Sequence, residues 1–127
     1  MKKKNTLLLF LCLFSLWAVA QEKKPVKIAC VGNSITYGSG IKNQFQNSYP
    51  GLLSQLLGEG YDVRNFGISA RVLLNKGDHP YMHEQKFRDL LAFQPDIVTI
   101  KLGTNDSKPW NWRYGKDFKK DLTEMLD

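Results

Sequence analysis

The sequence predicts an α/β domain built on a parallel sheet. Short β-branched, apolar runs alternate with segments of helical period, in the order strand, helix, strand, helix, strand, helix. Such alternation favours parallel strands joined by right-handed crossovers. All three apolar runs also stop at glycine-containing or polar turns. The carboxyl ends of the strands are where an open α/β sheet gathers its site.

The chain of 127 residues opens on a segment that is not part of that pattern. Lys2, Lys3 and Lys4 form a positive start, Leu7 to Trp17 is apolar, and Ala18-Val19-Ala20 is a small-x-small end. Together they read as a secretory signal peptide over residues 1–20, cut after Ala20. The apolar run is shorter than the ~20 residues of a spanning helix. The protein is therefore expected to be exported, periplasmic or secreted, with no membrane attachment after cleavage.

Val26 to Val31 is the first strand, a β-branched run ending at Gly32. Ser48-Tyr49-Pro50 begins a helix, since proline suits a first turn, and Leu52, Leu53, Leu56 and Leu57 fall on one face. Gly58-Glu59-Gly60 stops it. Tyr61 to Phe66 is the second strand, ending at Gly67. Residues 68–82 show no period, contain Gly77 and Pro80, and read as a loop with a short turn. Glu84 to Phe93 is a second helix with Phe87, Leu90 and Leu91 on one face, and Gln94-Pro95-Asp96 breaks it. Ile97 to Leu102 is the third strand, followed by Gly103-Thr104-Asn105-Asp106. Asp117 to Asp127 starts a third helix with Phe118, Leu122, Met125 and Leu126 at helical spacing.

Composition excludes several functions. The formal charge is +6, and half of it sits in the leader lysines. Past the leader no basic run exceeds Lys23-Lys24 or Lys119-Lys120, so nucleic acid is not an expected partner. Cys12 belongs to the leader, which leaves Cys30 alone, without a disulfide framework, as a buried and inert thiol. No cofactor or metal motif is present. His79 and His83 lie four apart beside Asp78, but Pro80 between them argues against a continuous helix presenting both, and Glu84 is the only nearby glutamate. They read as loop and helix-start residues.

The three strand ends bring Gly32-Asn33-Ser34, Gly67 and Gly103-Thr104-Asn105-Asp106 to one edge. Each alone is ordinary turn chemistry. Jointly they supply a hydroxyl nucleophile and donors for the oxyanion of acyl transfer: the backbone N–H of Ser34, that of Gly67 and the side-chain amide of Asn105.

Those residues carry a resemblance. Gly32-Asn33-Ser34-Ile35-Thr36 resembles the first block of the SGNH hydrolases, also called the GDSL esterase family. Arg64-Asn65-Phe66-Gly67 resembles the second, and Leu102-Gly103-Thr104-Asn105-Asp106 the third. The blocks occur in the family's order. The resemblance implies a flavodoxin-like three-layer α/β/α fold and serine esterase chemistry, with Ser34 as nucleophile and Gly67 and Asn105 in the oxyanion hole. Asn33 stands in place of the aspartate of the family's name motif and keeps a side-chain acceptor. The family's fourth block, an Asp-x-x-His supplying the general base, occurs nowhere in the 127 residues. Residues 21–127 are accordingly expected to be the N-terminal portion of such a domain. The uncapped helical pattern at Leu126-Asp127 points the same way, and the chain alone is expected to be a poor catalyst.

After the third block, Ser107-Lys108-Pro109-Trp110-Asn111-Trp112 places two tryptophans near the site. They either stack on sugar rings or cap the core beneath the loop, and core capping is the commoner use of such aromatics. The run from Gly103 to Trp112 resembles the carbohydrate-deacetylating, sialate O-acetylesterase-like branch. A small-molecule or glycan ester is then the expected substrate, with Trp110 and Trp112 as candidate substrate-binding residues. A lysophospholipase or thioesterase is the alternative enzyme reading, and a non-catalytic glycan-binding protein is the alternative from another class.

Overall fold

The computed structural model describes residues 23–127. The leader over 1–20 lies outside the described residues. Within them, β1 (Val26–Gly32), β2 (Tyr61–Gly67) and β3 (Ile97–Lys101) form one parallel sheet in the order β2-β1-β3. The α/β class and the parallel sheet read from the sequence are both present. Register is level at the carboxyl ends, where Gly32 pairs with Gly67 on one side and with Lys101 on the other. The central strand carries no charge after Lys27 and is almost wholly buried, as a strand with a neighbour on each side must be.

Helices cover both faces. On one face Ala29, Val31 and Phe66 pack with Leu90 and Phe93 of the helix Gln85–Phe93, and Ile100 and Met125 join that core. On the other face the helix Tyr49–Leu57 lies against β2, and its Tyr49 hydroxyl reaches Thr99 Oγ1 of β3 at 3.3 Å. In chain order the helices are α1 (Ser34–Tyr37), α2 (Gln44–Asn47), α3 (Tyr49–Leu57), α4 (Gln85–Phe93), α5 (Pro109–Trp112) and α6 (Phe118–Leu126). Phe93 also anchors α4 through two cations, with the Arg64 guanidinium 4.2 Å and Lys27 Nζ 5.3 Å from its ring centre.

Three features depart from the sequence reading. The four-residue helices α1, α2 and α5 were not expected, because a single turn has no period to detect. The leucine face of α3 is only partly used: Leu53 is half-buried, Pro50 is buried, and Leu56 is 84% exposed. The segment 68–82, read as a loop, is irregular but closely packed. Val72, Leu73 and Leu74 are buried, Val72 bridges to Pro80, and a 3₁₀ turn spans Tyr81–His83.

That turn secures the edge of β2. Tyr81 is fully buried, and its hydroxyl donates to the Phe66 carbonyl at 2.6 Å. Burial pushes the phenol far above its ordinary value, so it remains a donor at any working pH. Tyr81→Phe leaves the Phe66 carbonyl without this partner in a dry place. A loss of about 1–3 kcal/mol is expected, read as a lower urea midpoint at unchanged slope. An unchanged midpoint would show that the bond is dispensable.

Candidate active site

Ser34 is the first residue of α1, separated from β1 only by Asn33. Asn33 caps that turn: its Oδ1 accepts the Ile35 N–H at 3.1 Å while the side chain is buried. This is the acceptor role expected when Asn33 stands in place of aspartate. Ser34 itself is half-exposed at the sheet edge.

Close packing dictates the two glycines beside this turn. A Cβ on Gly32 would lie 2.1 Å from Thr36 Oγ1 and 2.8 Å from the Lys101 carbonyl oxygen. One on Gly67 would lie 2.3 Å from the Tyr37 nitrogen. The end of β2 therefore packs directly on the backbone of α1, one helical turn beyond Ser34. Asn65 ties the two together. Its Nδ2 donates to the Thr36 carbonyl at 2.8 Å, and its Oδ1 accepts the Gly67 N–H at 2.8 Å.

The turn after β3 is joined to the loop after β2 by side chains that accept backbone N–H groups. Asp106 is fully buried, and its two carboxylate oxygens take the N–H of Leu73 (3.1 Å) and of Leu74 (2.8 Å). Asp121 of α6 takes that of Asn75 at 2.8 Å, and Asn111 of α5 takes that of Asp78 at 2.9 Å. In the opposite direction Asn105 Nδ2 donates to the Arg71 carbonyl at 3.0 Å. An amide nitrogen carries two hydrogens, so one remains for a ligand. Arg71 is held by Glu84 at 2.7 Å.

Ser34, Gly67 and Asn105 thus come from three successive strand-end turns at one edge. Asp106, Asp121 and Asn111 were missed as organising residues in the sequence. The signal was slight: Asn111 interrupts an aromatic pair, whereas Asp106 and Asp121 stand among other polar residues. Trp110 and Trp112 are 54% and 53% exposed, and neither is buried in the core. Trp110 Nε1 donates to Asp78 at 3.1 Å, whereas the Trp112 ring leans on Phe118 with centres 6.0 Å apart. His79 and His83 are both exposed. Among the described residues no three His, Cys, Asp or Glu side chains are grouped to hold a metal ion. No helix there is long and apolar enough to cross a membrane.

Two outcomes follow from these contacts. Asp106→Asn keeps one acceptor but turns an NH₂ group toward the second backbone N–H. A loss of about 1–3 kcal/mol is expected, with faster hydrogen exchange at Leu73 and Leu74; unaltered exchange would contradict the docking role. Asp78 offers a pH readout. Burial alone would raise its carboxyl, but the Trp110 and Asn111 donors, with His79 and Lys108 nearby, bring it below the ordinary carboxylate value. Its contribution is then complete above about pH 4 and fades as pH falls through the lower folded value. Tryptophan emission should stay flat down to about pH 4 and shift below it. Asp78→Ala should show the shifted emission already at neutral pH.

Comparison with known proteins agrees with the arrangement of turns. The family model described as the GDSL-like lipase/acylhydrolase family matches residues 30–127. A protein of Xylanibacter ruminicola named acetylxylan esterase is 55% identical over 107 residues, covering 84% of this chain and 22% of that relative. The chain therefore spans about a fifth of the length of the curated relative it matches. No solved structure matches the chain. A match that begins in β1 and runs through all three strand-end turns leaves one assignment: the chain belongs to the GDSL-like lipase/acylhydrolase family.

Proposed function

We propose that the protein is a serine esterase that removes O-acetyl groups from a carbohydrate, with the acyl group carried on Ser34. The observation that supports this most is the level register at the sheet edge. It sets the turns bearing Ser34, Gly67 and Asn105 side by side, on strands paired at Gly32–Gly67 and Gly32–Lys101. The relative's printed name, acetylxylan esterase, supports an acetyl ester on a polysaccharide. The resemblance to sialate O-acetylesterase-like proteins agrees on the acetyl group and the sugar.

In this reading the Ser34 hydroxyl oxygen attacks the acetyl carbonyl carbon and its proton passes to a general base. The carbonyl oxygen becomes an oxyanion, which the Ser34 N–H, the Gly67 N–H and the second hydrogen of Asn105 Nδ2 stabilise. The Gly67 N–H already bonds Asn65 Oδ1 at 2.8 Å, so that donor is shared or released as charge develops. Collapse of the tetrahedral species expels the sugar hydroxyl, which takes the proton from the base, and leaves an acetyl-Ser34 ester. Water attacks that ester and releases acetate. The base is not an Asp-x-x-His within these 127 residues. Without one, a serine is an ordinary alcohol and a weak nucleophile. The leader over residues 1–20 supports export, which suits a polysaccharide substrate.

Acetate release from acetylated xylan tests the reading. With a working base present, Ser34→Ala should lower turnover by at least about 10³-fold. Asn105→Ala should lower it by roughly 10²–10³-fold. Ser34→Ala retaining wild-type turnover would refute the assignment of the nucleophile.

A further inference from the structure

A groove of about 910 Å³ runs beside the candidate catalytic edge without containing Ser34, Gly67 or Asn105. It follows β2 at residues 62–65, and α2 and α3 form its other wall. Its size lies within the roughly 300–1,000 Å³ of ligand sites. We propose that this groove binds the neutral sugar chain that carries the ester, with Phe45 as its aromatic platform. The inference rests on the carbohydrate esterase reading above and names where the polymer lies.

Three observations carry it. Phe45 sits on the single turn of α2 and is 92% exposed. A large aromatic with so little packing of its own has a free face to offer a ligand, and contiguous exposed apolar surface marks such grooves. Tyr37, partly exposed on the same wall, supplies a second ring. Stacked aromatic faces suit the C–H faces of pyranose rings.

The polar lining is dominated by neutral amides that are already fixed. Gln44 Nε2 donates to the Tyr37 carbonyl at 2.6 Å and Gln55 Nε2 to the Gln46 carbonyl at 2.8 Å. Asn65 is fixed by its bonds to Thr36 and Gly67. Each anchored glutamine retains a carbonyl oxygen and a second N–H, the mixed donor and acceptor set that sugar hydroxyls need. Anchoring beforehand lowers the ordering cost of binding.

The charges in the groove are occupied. Arg64 pairs with Asp62 at 2.8 Å, and Lys86 donates to the Gly67 carbonyl at 3.2 Å. This favours a neutral chain over an anionic sugar. The amide lining equally disfavours a long acyl chain. The groove is also continuous with the catalytic edge: Tyr37 lies one turn past Ser34 on α1, and Asn65 and Lys86 both reach Gly67.

With a working base present, the test compares wild type, Phe45→Ala and Phe45→Trp on acetylated xylo-oligosaccharides and on p-nitrophenyl acetate. Phe45→Ala should raise KM for the oligosaccharide about three- to tenfold, the loss expected for one aromatic contact. Phe45→Trp should restore KM, and kcat/KM for p-nitrophenyl acetate should be unchanged in both. Equal effects on the two substrates, or no effect on either, overturns the proposal. Migration in a gel containing deacetylated xylan separates it from the esterase reading. Retardation of wild type but not of Phe45→Ala supports the groove even if no ester is hydrolysed, whereas equal migration of the two overturns it.

Discussion

The carboxylate of Asp106 is the contact on which the arrangement of the candidate site depends. It is buried and takes two consecutive backbone N–H groups, those of Leu73 and Leu74, more than thirty residues away in sequence. The segment they belong to has almost no secondary structure of its own, yet its apolar residues are buried. A buried backbone without a ladder must find partners elsewhere. Here the partners are side chains borne just after β3 and on α5 and α6. They lock the loop after β2 to the turn after β3, and so set Gly67 and Asn105 in one frame.

The second constraint is steric. Gly32 and Gly67 lie level in the sheet, and neither tolerates a Cβ, which at Gly32 would meet the Thr36 side chain and the Lys101 carbonyl and at Gly67 the backbone of α1. Their absence of side chains allows the Ser34 turn, the end of β2 and the start of the β3 turn to crowd together. Asn33 and Asn65 then satisfy the backbone groups exposed by that crowding, one at Ile35 and the other at Thr36 and Gly67. Residues that resemble catalytic signatures in sequence thus have structural work at the same place. Asn65 in particular links the candidate oxyanion donor at Gly67 to the proposed sugar groove along β2.

The strands were legible because each is a short β-branched run closed by a turn, and the structure moves their ends by only a residue. The helices α4 and α6 were legible for the same kind of reason: Phe87, Leu90 and Met125 repeat at helical spacing and pack inward, although Leu91 and Leu126 of the expected faces stay exposed. The leucines of α3 show the limit of that logic. Leu52, Leu53, Leu56 and Leu57 share a face in the sequence, but Leu56 stays exposed, because periodicity says which residues point together and not what covers them. Trp110 and Trp112 were ambiguous in the same way. Their exposure was decided by Asp78 and Phe118, which lie elsewhere in the chain.

By itself the sequence determined the class of fold, the order of its elements and the three turns that carry Ser34, Gly67 and Asn105. These depend on local spacing, on β-branched runs and on glycines, all of which act between near neighbours. Only the tertiary structure decided that the stretch 68–82 is a docked segment, and that a groove lined by amides and Phe45 adjoins the candidate catalytic edge. Both arise from partners tens of residues apart: Asp106 with Leu73 and Leu74, Asn111 with Asp78, Asn65 with Thr36. A hydrogen bond between distant residues leaves no period in the chain that makes it.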